Sequence, residues 1–135
     1  MLREHAFCFA SMSIDEFFDG ALGPLPYRSV RFHHADAPAD AFLGPTAQTN
    51  LVDHPTCTRR SDWSLLPGHV VRATGRKTVT HDEPCDVRDN GDERYYPVPD
   101  GSGANAALHR LYQALAAREP RVRFVGRCGT YRYLD

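Results

Sequence analysis

Ala104-Asn105-Ala106-Ala107-Leu108-His109-Arg110-Leu111-Tyr112-Gln113-Ala114-Leu115-Ala116-Ala117-Arg118 runs without a breaker to Pro120 and is followed by Val122-Arg123-Phe124-Val125-Gly126. The first part is alanine-rich and puts Leu108, Leu111, Tyr112 and Leu115 on one stripe, the period of an amphipathic helix. Pro120 ends it, and Val122 to Gly126 reads as a short buried strand. A helix that delivers the chain into such a strand packs across a sheet. The expected class is therefore α+β: a mostly antiparallel twisted sheet with two main helices packed on one face.

Past that strand, Gly126-Arg127-Cys128-Gly129-Thr130-Tyr131-Arg132-Tyr133-Leu134-Asp135 reads as a loop of tyrosines and arginines ending on a carboxylate. Glycine lets a ligand approach the backbone, and Arg127 and Arg132 offer planar forks matched to phosphate oxygens. The ordinary alternative is a polar surface tail.

Upstream, His5 to Ala10 reads as a short buried strand. Ser13 with Glu16 is a capping box, opening a helix to Gly20 with Ile14, Phe17 and Phe18 on its apolar face. Tyr27 to His34 alternates as a strand whose core candidates are Val30 and Phe32. After a loop from Ala35 to Pro45, Thr46 to Val52 and Cys57 to Trp63 read as strands joined by the turn residues Asp53-His54-Pro55-Thr56. Gly68 to Thr80 reads as two extended pieces hinged at Gly75. His81 to Arg94 reads as a charged loop with an Asn90-Gly91 turn, and Tyr95-Tyr96-Pro97-Val98-Pro99 is extended.

At 135 residues the chain is expected to form one domain. Its net charge of -1 and pI near 6.6 give no electrostatic case for nucleic acid. No apolar run reaches membrane-spanning length, and Met1 to Ala10 lacks the features of a signal peptide, so a soluble cytoplasmic protein is expected. Cys8, Cys57, Cys85 and Cys128 contain no C-x-x-C pair and read as free thiols.

The sequence holds no G-x-G-x-x-G, P-loop, G-x-S-x-G or H-E-x-x-H. What remains is scattered: Asn50, Arg59, Tyr95, Tyr96, Arg127, Tyr133 and Asp135. Each has an ordinary reading, such as half-buried strand tyrosines, a solvated arginine or a frayed terminal aspartate.

In order along the chain, however, stand Ile14-Asp15-x-x-Phe18, Leu25-Pro26-Tyr27-Arg28-Ser29-Val30-Arg31-Phe32, Thr49-Asn50-x-x-Asp53, Thr58-Arg59, Tyr95-Tyr96-Pro97-Val98 and Gly126-Arg127-x-x-x-Tyr131-x-Tyr133-x-Asp135. This series resembles the UDP-galactopyranose mutases, flavoenzymes that interconvert the pyranose and furanose rings of UDP-galactose, in their sheet-bearing C-terminal portion. The resemblance implies that Asn50 contacts substrate, that Arg59, Tyr95, Tyr96 and Tyr133 reach its diphosphate, that Asp135 stands beside Tyr133, and that Arg127 corresponds to an arginine leaning on the flavin. Cys57 and Leu134 stand where the family usually has tyrosine.

The resemblance begins late in the family's chain and excludes its FAD fingerprint, so no FAD is expected to bind here. The implied function is then a flavin-free pyranose/furanose mutase of an NDP-hexose such as UDP- or GDP-galactose. Arg59, Tyr133 and Asp135 would be its catalytic residues. A divalent metal cation is expected to assist departure of the diphosphate, with His81 and Asp82 as candidate ligands and His33, His34 and His54 as alternates. A homodimer is expected over the sheet face that the family covers with other domains. The alternative is a non-catalytic nucleotide-sugar-binding module, or one subunit of a split flavin-dependent mutase.

Overall fold

The structure, a computed structural model, describes residues 5–69 and 75–133. The strands are β1 (Cys8–Ala10), β2 (Tyr27–Pro38), β3 (Gln48–Asn50), β4 (Arg59–Asp62), β5 (Arg76–Asp86), β6 (Tyr96–Pro97) and β7 (Val122–Phe124). The helices are α1 (Ile14–Phe17), α2 (Ala104–Ala116) and α3 (Gly126–Thr130). Five strands form one sheet in the order β3-β4-β5-β2-β6, with antiparallel registers, and β1 pairs with β7 in a small parallel sheet. The class is α+β.

The backbone divides into two compact units, residues 1–29 with 86–135, and residues 30–85. In the first, Ile14, Leu25, Tyr27 and Tyr112 form the buried core, packed by Phe18, Leu108, Leu115, Phe124 and Tyr131. Helix α2 buries His109 and Tyr112, while Leu111 is 57 % exposed. The inward set therefore follows positions 105, 108, 109, 112 and 116, the i, i+3, i+4 rows of one face, and Leu111 falls off its edge. Phe7, Phe9 and Phe32 are likewise more exposed than their strands' apolar patterns imply. Ser13 is the N-cap of α1, and its hydroxyl meets Glu16 at 3.0 Å. That short helix closes by residue 17 because Asp19 and Gly20 take positive φ.

Three segments differ in kind from the sequence expectation, the first being Ala35 to Pro38, which is not loop but the end of β2. His81 to Asp86 is not loop but the second half of β5. Its charges are tolerated because cross-strand partners take them up, as Arg59 does for Asp82 and His33 for Glu83. Only past Asp86 does the chain turn, through a single 3₁₀ turn that Gly91 ends in the left-handed conformation the Asn90-Gly91 pair predicts. Gly126 to Thr130 is not an open loop but the short helix α3. The proposed hinge at Gly75 adjoins residues 70–74, which lie outside the described residues, as do Leu134 and Asp135.

Gly129 is why α3 sits against β1. A Cβ at this position would lie 2.9 Å from the Ala10 carbonyl oxygen and 3.3 Å from that of Met12. Both obstacles are backbone and cannot rotate aside. Gly129→Ala is expected to destabilise the first unit by about 2 kcal/mol, the scale of overpacking, read as a lower urea midpoint at unchanged slope. An unchanged midpoint would show that α3 can shift.

Candidate functional site

Within the first unit, β6 and α3 bring together four sequence candidates from two stretches about 30 residues apart. The Arg127 guanidinium lies 5.5 Å from the ring centre of Tyr95 and 5.4 Å from that of Tyr133. Tyr96 packs edge-on to both rings, at 6.1 Å from each. A cation held over two ring faces is stabilised by their quadrupoles. Tyr133 is 64 % exposed.

The support for this cluster is buried. Asp15, 1 % exposed, accepts from Arg94 Nη1 at 2.7 Å and from the Leu25 amide at 2.9 Å. Arg94 also donates to Ser13 Oγ and lies 5.3 Å from the Tyr27 ring centre. The Tyr95 amide then donates to the Arg28 carbonyl, fixing where β6 begins. Behind the cluster, Tyr131 donates to the Pro26 and Val98 carbonyls at 3.0 Å. Burial, with the Asp100 and Asp15 carboxylates adding to it, pushes its pKa up to about 12 and keeps it a donor. Between Pro97, Pro99, Asn105, Tyr131 and Tyr133 lies an open cavity of about 170 Å³. Sequence reading did not find Asp15, Arg94 or Tyr131 as supports, since their partners are 10 to 105 residues away.

The second unit holds the other candidates. Asn50, Arg59 and Asp82 are opposite one another on β3, β4 and β5, forming a row across one sheet face. Arg59 Nε lies 3.8 Å from Asp82 Oδ2. Burial raises the Asp82 pKa against the lowering effect of Arg59 and His81. The next row, on the opposite face, is Thr49, Arg60 and His81. His54 stacks on His81 at 6.4 Å, and its Nδ1 accepts from the Thr56 and Cys57 amides, leaving the proton on Nε2. His33 Nε2 meets Glu83 at 2.5 Å, and His34 Nδ1 meets Thr80 Oγ1 at 2.8 Å.

This arrangement does not suit a metal ion on His81 and Asp82. Successive strand residues point to opposite faces, so the two cannot converge on one ion. Asp82 is turned toward Arg59, and His81 has Arg60, His54 and His33 as neighbours, whose charge, with burial as the larger cause, lowers its pKa. Among the described residues no three His, Cys, Asp or Glu side chains cluster as metal ligands.

The fold is α+β, with an arginine held against two tyrosine rings in one compact unit and a cross-strand Asn-Arg row in the other. The UDP-galactopyranose mutase family model matches residues 2–133, and the chain belongs to that family. It is 28 % identical to the dTDP-fucopyranose mutase of Escherichia coli over 98 % of this chain and 34 % of that protein. It is 32 % identical to the UDP-galactopyranose mutase of Mycoplasma pneumoniae over 90 % of this chain and 30 % of that protein. With the probable UDP-galactopyranose mutase of Klebsiella pneumoniae it shares 29 % identity over 98 % of this chain and 33 % of that protein. The chain spans about a third of the length of these curated relatives. Among the described residues, no helix is long and apolar enough to cross a membrane.

Proposed function

We propose that this chain holds the diphosphate of a nucleotide-activated hexose during interconversion of its pyranose and furanose forms, and that it does so without flavin. The observation that carries the reading is Arg127 fixed between Tyr95 and Tyr133 within a family-matching stretch. The diphosphate is both the binding handle and the leaving group. Donors placed at its oxygens stabilise the charge that develops as the C1–O bond breaks. In this reading the sugar O4 attacks C1 as the diphosphate departs and loses its proton. The C1–O5 bond then opens, O5 takes up a proton, and diphosphate returns to C1 of the smaller ring. Within the other unit, Asn50 and Arg59, with Asp82 placed to orient Arg59, are the proposed substrate-contacting groups of their own row. A divalent cation enters this reading only as a companion of the diphosphate, since His81 and Asp82 do not converge.

A second reading rests on the family match: the chain is one subunit of a split mutase whose flavin-binding half is another polypeptide. Incubating the purified protein with UDP-galactopyranose, with Mg²⁺ or EDTA, and with or without reduced FAD, followed by chromatography, separates the two. Furanose product without flavin supports the first. Saturable binding without turnover supports the second, and no binding overturns both. Turnover indifferent to EDTA removes the cation. A homodimer is part of the same proposal, and a monomer in light scattering at micromolar concentration overturns it.

Arg127→Lys keeps the charge and loses the planar fork. It is expected to lower turnover about 100-fold, the effect of removing a donor to developing charge, or, where only binding is seen, to weaken binding by at least tenfold. Tyr133→Phe keeps the ring over Arg127 and removes only the hydroxyl. Its expected loss is about tenfold, one hydrogen bond to a charged group. Equal losses in the two variants would show that the ring stack is not what matters.

A further inference from the structure

The seam between α2 and α3 contains a buried histidine that the proposed chemistry does not use. His109 is 8 % exposed, and its ring stacks on Tyr131 at 5.5 Å with an interplanar angle of 26°. Among the described residues, its Nε2 is the buried side-chain nitrogen or oxygen with no hydrogen-bond partner. The backbone of Gly129 is bonded to the ring and favours its protonated form, so the ring donates there. A neutral imidazole has one N–H to give. With Nε2 unpartnered, that proton sits on Nδ1, and Nε2 is the position a second proton must take.

We infer that His109 is a pH-sensitive latch that holds the Arg127–Tyr133 segment in place when neutral and releases it when protonated. A proton on Nε2 would bury a cation and an N–H with no acceptor, a costly arrangement. The Gly129 backbone bond and the Tyr131 ring face offset part of this cost, but burial is the larger influence. From α3 it meets the Gly129 backbone and Tyr131, and the cation of Arg132 follows immediately. From its own helix, Asn105 acts on the Tyr131 hydroxyl. The Asp15 and Asp100 carboxylates act on Tyr131 and are not among the groups acting on His109.

Release reaches the arginine cluster because Tyr131 is its post. Tyr131 holds a left-handed φ of 51° at the end of α3, a conformation that costs a non-glycine residue energy and persists through its surroundings. Those surroundings are the His109 stack, the edge contact of Tyr27 at 5.4 Å and the two carbonyls its hydroxyl meets. The Arg132 amide returns to the Arg127 carbonyl, tying the two ends of the turn. Losing the stack frees a strained turn that carries Arg127 on one side and Tyr133 on the other.

The sign follows from the burial that lowers the His109 pKa below its usual 6.5. The unfolded or opened chain then binds more protons than the closed one, so closure is favoured by rising pH and is lost as pH falls from 6.5 toward the folded value. The test is hydrogen exchange of residues 104–133 between pH 7.5 and 5, corrected for intrinsic exchange, in wild type and in His109→Phe and His109→Gln. Wild-type protection is expected to fall about tenfold per pH unit inside the window, the effect of one proton, while both variants stay flat. Parallel profiles overturn the latch. Should the variants fail to fold, the wild-type His109 ring signals decide by NMR: a midpoint below 6.5 with a concerted shift of Tyr131 supports it, and one at or above 6.5 overturns it. The readout needs no turnover, so the latch stands or falls independently of the mutase reading.

Discussion

Replacing Lys77 by alanine is expected to lower the unfolding free energy by about 4 kcal/mol, the penalty for breaking a buried ion pair and leaving one charge uncompensated. The Lys77 and Asp62 side chains are 6 % and 4 % exposed, and Nζ lies 2.6 Å from Asp62 Oδ2. The ammonium also donates to the Ala41 carbonyl at 2.6 Å, while the other carboxylate oxygen accepts from the Ser64 hydroxyl and amide. Truncating Lys77 strands the carboxylate among neutral donors and unties the 39–43 loop. Water reaches neither group easily, so solvent screening does not soften the loss.

The pair invites a double-mutant comparison. Lys77→Met with Asp62→Leu removes both charges and is expected to be less destabilised than either single variant, because no uncompensated charge remains. Urea midpoints of the three variants measure this, and additive losses would mean that the two groups act separately. Burial works against ionisation of Asp62, but the hydrogen bonds from Lys77 and Ser64 outweigh it and hold the pKa below the usual 3.8. The folded chain then binds fewer protons than the unfolded one near that pH. This stabilisation is present above 3.8 and is lost as pH falls through the folded value.

The second large effect lies under the arginine cluster. Asp15→Ala is expected to cost about 3 kcal/mol, toward the lower end for a broken buried pair because the Arg94 side chain is a quarter exposed. The variant leaves the Leu25 amide without its acceptor and Arg94 without its counter-ion. Arg94 immediately precedes Tyr95, so the start of β6 loses its anchor. Ligand binding is expected to weaken with stability, whereas Lys77→Ala acts in the other compact unit. Binding unchanged in folded Asp15→Ala protein would show that β6 is held by its pairing with β2 alone.

The resemblance to one family was legible because Leu25 to Phe32 and Gly126 to Tyr133 keep their residue types in order, and the family match follows the same stretch. Helix α2, its proline stop and the strand after it were also plain, since local periodicity determines them. The strand at His81 to Asp86 was hidden. A charged run reads as loop when its partners, Arg59 and His33, are far away in sequence. The same ladder separates His81 from Asp82, which adjacency in the sequence had paired as metal ligands.

Read alone, the residues give the tyrosine and arginine types of the site and the elements that local propensity builds. Tertiary structure decided which of those residues meet. Arg127 finds Tyr95 and Tyr133 because a glycine lets α3 press onto β1 and a buried carboxylate holds Arg94 beside β6. Those are contacts between segments remote in the chain, and only packing creates them. His109 shows the same division: its place on the inward stripe follows helical period, but its unpartnered nitrogen exists only because Tyr131 folds back over it.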